Sequence, residues 1–120
     1  MRDFLAVTKA LSDETRVRLL LALRDEERCL CQLIDLLNLA PSTISKHMKL
    51  LHDARLVEMR KEGRWHFYRV ARKHESKSVE HVLAWAIETL ADEPTISDDQ
   101  RRLREISRKD LVEISSCYRN

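Results

Sequence analysis

The sequence predicts a mainly α domain carrying one β-hairpin, on three observations. Glycine and proline are scarce, one and two among 120 residues, so few positions oppose helix. Apolar residues recur at spacings of three and four over most of the chain. Between residues 56 and 70 the period changes to two, and β-branched and aromatic residues flank the single glycine, Gly63.

The elements follow in order. Residues 3 to 11 form a short apolar-rich helix. In "SDETRVRLLLALRDEE", Ser12 or Asp13 supplies a short oxygen that caps a helix, and Leu19 to Leu23 are apolar all round, which predicts a central, buried helix. "CLCQLIDLL" carries Leu33, Ile34 and Leu37 at helical spacing. "NLAPS" breaks it, with Asn38 in the C-terminal turn and Pro41 in the first turn of the next helix. That helix, "PSTISKHMKLLHDAR", sets Ile44, Met48 and Leu51 on one stripe and Ser42, Ser45, Lys46 and Lys49 opposite, with Thr43 and His47 along an edge. "LVEMR" and "WHFYRV" are strands joined by "KEGR", where Gly63 permits the positive φ of a tight turn. Two further helices are expected, over 77–91 and 98–116. The second opens on "SDDQ" as a capping box, with Asp98 and Asp99 in its first turn.

Composition narrows the class. With 43% hydrophobic and 35% charged residues the chain reads as one globular domain, 1–120, with its core in 9–71. The apolar run Leu19 to Leu23 is far too short to span a bilayer, and "MRDFLAVTKA" does not read as a signal peptide, so a cytoplasmic location and no membrane partner are expected. Three cysteines in a reducing compartment point to free thiols that bind or react. No C-x-x-C in a βαβ context and no Gly-rich phosphate loop is present, so an enzyme is not expected.

Net charge is only +2, but residues 42–73 hold nine Lys/Arg against three Asp/Glu, whereas 74–120 hold seven against ten. A basic middle suggests a localised polyanion contact. Two short helices in tight succession, the second with a small-polar and basic face, read as a helix-turn-helix; the basic-tipped hairpin behind it makes a winged helix. Ser42, Thr43, Ser45, Lys46, His47 and Lys49 are the expected contacts to double-stranded DNA, and Arg60, Lys61 and Arg64 the expected wing contacts. One recognition helix covers few base pairs, so a homodimer is expected. Phe4, Leu5, Val7 and the helix at 77–91 would pair across its two-fold axis. Trp85 is either an interface anchor or an intrachain core residue.

"LSDETRVRLLLAL", "ERCLCQL" and "STISKHMKLLHDARLVEMRKEGRWHFYRV" together resemble the ArsR/SmtB family of metal-sensing transcriptional repressors, over residues 9 to about 71. The C-x-C at Cys29 and Cys31 is similar to the arsenic- and antimony-sensing branch. The resemblance implies a homodimeric repressor of a resistance operon, released from its operator when As(III) or Sb(III), as arsenite or antimonite, binds cysteine thiolates. That branch often has a third cysteine where this chain has Ile34; Cys117 is the other cysteine that would complete the metal site. A small thiol or water is the alternative. His74 and His81 lie near the metal site of zinc-sensing relatives, but that site's spacing is not reproduced, and both are expected on the surface.

Cys29 and Cys31 lie two residues apart, which on an α-helix is a rotation of about 200° and puts them on opposite sides. One ion would join them only where the first turn is unwound, since i and i+2 share a face in extended backbone. Inducer binding is therefore expected to hold or force this segment out of helix. Arg28 is expected to favour the thiolates. A thiol-redox regulator or a sensor of another soft metal, on the same fold, is the competing reading, as are two buried structural cysteines.

Overall fold

The computed structural model, which describes residues 1–72 and 77–109, runs α1 (Arg2–Ala10), α2 (Glu14–Ala22), β1 (Arg28–Cys29), α3 (Leu30–Leu37), α4 (Pro41–Asp53), β2 (Val57–Glu62), β3 (Trp65–Val70), α5 (Lys77–Thr89) and α6 (Pro94–Ile106). Asp13 is the cap of α2: its carboxylate accepts the Arg16 amide hydrogen at 3.2 Å. Leu19, Leu20, Leu21 and Leu23 are buried, and α2 packs on α4, α5 and α6 as its all-round apolar sequence requires.

Asn38 ends α3 in the left-handed region at φ 54°, which a short polar side chain tolerates, and Pro41 opens α4 at a position that needs no amide hydrogen. Ile44, Met48 and Leu51 form the buried stripe of α4. Each such side chain contributes roughly 1.5–3 kcal/mol by leaving water. This stripe fixes which face of α4 is left for solvent.

β2 and β3 pair antiparallel from Val57↔Val70 to Glu62↔Trp65, which leaves Gly63 and Arg64 as a two-residue turn. Gly63 takes φ +59°, so the strands reach two residues further into "KEGR" than the sequence pattern indicates. β1 adds a third strand on the other side of β3, with Arg28↔Tyr68 and Cys29↔Phe67.

The last helix departs from expectation. α6 begins at Pro94 with Glu93 as its N-cap, and Ser97 lies within it, its amide hydrogen donated to the Glu93 carbonyl. Proline at the first helical position outcompetes the downstream capping box. Asp99 is not a dipole-facing residue of the first turn: it is buried, and both its oxygens accept from the Arg18 guanidinium at 2.8 Å, clamping α6 to α2. The helix ends at Ile106; residues 110–116 of the expected span, with Leu111 and Ile114, lie outside the described residues.

Val7 is buried in the core rather than presented outward, while Phe4, Leu5 and Trp85 are exposed, Trp85 at 64%. Trp85 is therefore not an intrachain core residue. Among the described residues no helix is long and apolar enough to cross a membrane.

Candidate nucleic-acid interface and thiol site

α3 and α4 form the helix-turn-helix. Burial of Ile44, Met48 and Leu51 turns Ser42, Lys46 and Lys49 to solvent, with Thr43, Ser45 and His47 half-buried beside them. Lys49 Nζ lies 2.9 Å from Asp53 one turn on, an exposed pair. His47 is fixed from behind: Arg16 donates to its Nδ1 at 3.2 Å while also donating to the carbonyls of Ala10 and Lys9. An accepting Nδ1 puts the ring proton on Nε2. Arg16 thus caps the end of α1 and sets the ring orientation on α4.

The wing cations are not equivalent. Lys61 and Arg64 are exposed, with the Arg64 guanidinium 4.7 Å from the centre of the Trp65 ring. Arg60 is engaged: Glu27 accepts from it at 2.9 and 2.7 Å, Glu62 accepts at 2.8 Å, and its guanidinium stacks 4.4 Å over Phe67. The same hydrogen bond holds the Glu27 carboxyl below the usual carboxylate range. Two carboxylates around Arg60 reduce what it can offer a phosphate.

Cys29 and Cys31 come together without unwinding α3. Cys29 is the N-cap, extended at φ −71° and ψ 148°, and Cys31 belongs to the first turn. The change of backbone between them cancels the helical rotation, and the Cys31 thiol donates to Cys29 Sγ at 2.8 Å. Ligand is therefore not needed to create the non-helical segment; strand pairing of Cys29 with Phe67 already holds it. Both cysteines are buried, packed against Trp65 and Phe67 in a small cluster apart from the main core.

The electrostatics also differ from expectation. The bond to Cys29 and burial push the Cys31 thiol well above its ordinary pKa. Arg28 does not counter this, because its side chain turns inward: Nε donates to the Ala22 carbonyl at 2.7 Å and Nη1 to Ser107 Oγ at 2.9 Å, with Glu26 Oε1 3.0 Å away. Burial lowers the pKa of Arg28 itself. Cys117 and His74 lie outside the described residues; His81 is exposed on α5. Among the described residues no group of three or more His, Cys, Asp or Glu side chains is placed to hold a metal ion.

Four residues here escaped the sequence reading. Trp65 and Phe67 wall the thiols, Glu27 holds Arg60, and Gln32 accepts the Cys29 amide hydrogen at 2.8 Å. Only Gln32 left a local signal: it stands three residues after the cap, the spacing of a capping box.

Comparison with known proteins agrees with this architecture. The family model for bacterial regulatory proteins of the arsR family matches residues 13–59. The chain is 33% identical over 113 residues to the arsenic resistance transcriptional regulator ArsR1 of Pseudomonas putida, covering 91% of this chain and 86% of that one. It is 35% identical over 79 residues to the cadmium resistance transcriptional regulatory protein CadC homolog of Staphylococcus aureus, covering 65% of each. The homodimeric winged helix-turn-helix DNA-binding domain (fragment 1-100) Mb0332 of Mycobacterium bovis superposes with a TM-score of 0.63 at 28% identity, over 77% of this chain and 81% of that one. A helix-turn-helix with a basic outer face, a hairpin wing and this match along nearly the whole chain lead to one conclusion: the protein belongs to the arsR family of DNA-binding transcriptional regulators.

Proposed function

We propose that this protein is a homodimeric cytoplasmic repressor that leaves its operator when trivalent arsenic or antimony takes the thiols of Cys29 and Cys31. The observation that carries the reading is the 2.8 Å approach of two sulfurs in an apolar corner between the helix-turn-helix and the wing. Their burial and the high pKa of the Cys31 thiol favour a ligand that reacts with neutral thiols. Arsenous acid, As(OH)3, does so: two As–O bonds are exchanged for two As–S bonds, each thiol proton leaves with a hydroxide as water, and no charge is left behind. A divalent zinc or cadmium ion instead requires two thiolates and a desolvated dication, which an apolar site disfavours. Burial of both thiols also counts against rapid oxidation as the signal.

Cys117 is the proposed third sulfur. Lys109 Nζ lies 3.1 Å from Asp35, one turn beyond Cys31, so the chain leaves α6 on the α3 side of the molecule. The eight steps from Lys109 to Cys117 span at most roughly 26–29 Å, which is ample reach. On the DNA side, Ser42, Thr43, Ser45, Lys46, His47 and Lys49 would enter the major groove, with Lys61 and Arg64 on the adjacent backbone. The exposed Phe4, Leu5 and Trp85 of α1 and α5 would bury each other across the dimer axis.

Arsenite titrated into the protein on its operator, followed by fluorescence anisotropy, tests this. Release at stoichiometric arsenite is expected. Retention on DNA with arsenite bound, or no binding at all, would overturn the reading.

A further inference from the structure

Cys29, Phe67 and Arg60 are register partners across β1, β3 and β2, so their side chains rise from one face of the sheet. Trp65, two residues before Phe67, is on the same face. The thiols therefore meet one layer of two rings, and behind each ring stands a wing cation: Arg60 at 4.4 Å from Phe67 and Arg64 at 4.7 Å from Trp65. Glu27, two residues before Cys29, accepts two of the Arg60 hydrogen bonds and ties the start of β1 to β2.

The sulfurs have no accessible surface, and at 2.8 Å they leave no space between them for another atom. A ligand joined to both must displace a neighbour. Leu30 and Leu33, the neighbours of the cysteines in sequence, are buried in the main core, a cluster separate from that of the thiols. On the sheet side stand Trp65 and Phe67, only partly buried. The rings are the softer wall.

We propose that the wing reads the thiol site: occupancy of Cys29 and Cys31 drives Trp65 and Phe67 outward, breaks their stacking with Arg64 and Arg60, and withdraws the hairpin from DNA. The inference rests on the thiol reading above but assigns a different route from a shift of α3 against α4. It makes Trp65 and Phe67 positioning residues of the response.

Hydrogen exchange of the full chain with and without arsenite separates the routes. Amides of 57–70 should exchange at least fivefold faster when arsenite is bound, with those of 41–53 unchanged. A change confined to 30–53 would overturn the proposal. The chain has two tryptophans, so Trp85→Phe leaves Trp65 as the only tryptophan excited at the red edge. Its fluorescence should shift with arsenite and saturate with binding measured by mass spectrometry; a bound but spectrally silent protein would contradict the proposal. Phe67→Leu keeps an apolar wall but removes the ring beneath Arg60. At saturating arsenite it should lose most of the arsenite-induced fall in DNA affinity; full release would overturn the wing route. Absence of bound arsenite in the unsubstituted protein overturns the site reading, and the wing proposal with it.

Discussion

Gln32 Oε1 accepts the amide hydrogen of Cys29 at 2.8 Å, and the Gln32 amide faces the Cys29 sulfur in return. This capping box is what lets two cysteines of an i, i+2 pair converge. Gln32→Leu should cost about 1 kcal/mol of stability, the usual worth of a cap. It should also weaken arsenite binding, because Cys29 loses its fixed extended geometry. Gln32→Glu, an equally good partner at this position, should restore both. Melting curves and arsenite titrations of the two variants check this; a Leu variant with wild-type arsenite affinity would show that strand pairing alone sets the sulfurs.

Cys29→Ser and Cys31→Ser should each retain operator affinity and lose the arsenite response. Serine caps a helix at least as well as cysteine, so Cys29→Ser should not destabilise α3. Anisotropy in the absence and presence of arsenite gives both quantities in one titration.

The high pKa of Cys31 has a consequence for alkaline stability. The folded protein keeps this proton, held by the bond to Cys29 and by burial, whereas the unfolded chain releases it near pH 9. Above that pH the unfolded state binds fewer protons than the native one, so stability falls as pH rises, by up to about 1.4 kcal/mol per pH unit for one such group. Below it the contribution is fully present. Urea unfolding between pH 8 and 10.5 should show a steeper decline for wild type than for Cys31→Ser, and parallel curves would refute the assignment.

Lys46 and Lys49 should each contribute about one counterion to operator binding, so alanine at either position should lower the slope of log K against log salt by about one. The Lys49–Asp53 pair does not oppose this, since an exposed pair of this kind is worth under about 1 kcal/mol and yields readily to a phosphate. Arg60→Ala should change the salt slope less, because Glu27 and Glu62 already neutralise that guanidinium.

Asp99→Ala should be among the most damaging changes in α6. It leaves the half-buried Arg18 guanidinium without its carboxylate and removes the clamp to α2, a loss below the roughly 3–5 kcal/mol of a fully buried pair because Arg18 keeps some contact with water. A urea midpoint within error of wild type would show that α6 docks through Leu103 and Ile106 alone.

The helix-turn-helix and hairpin were legible because each repeats its signal locally. Ile44, Met48 and Leu51 share one stripe, Asn38 and Pro41 punctuate the turn, and Gly63 marks the hairpin. β1 was not legible, because two residues carry no period and their hydrogen-bond partners lie nearly forty positions away. The same distance hid the aromatic wall of the thiols and the Glu27–Arg60 clamp. Arg28 misled because proximity in sequence suggested a charge beside sulfur, whereas its length lets it reach Ser107 at the end of α6. Ser97 misled because a capping box is only a local preference, and Pro94 upstream offers a better start.

The complete enclosure of Cys29 and Cys31 also governs timing. A guest that cannot touch either sulfur from bulk water would, on the wing proposal, wait for the hairpin to open. At low doses capture would then rise in proportion to the toxin supplied; at high doses it would plateau at the opening frequency of the protein itself. On the proposed function, such a gate would ignore brief surges and answer sustained ones, with a delay set by the packing of Trp65 and Phe67.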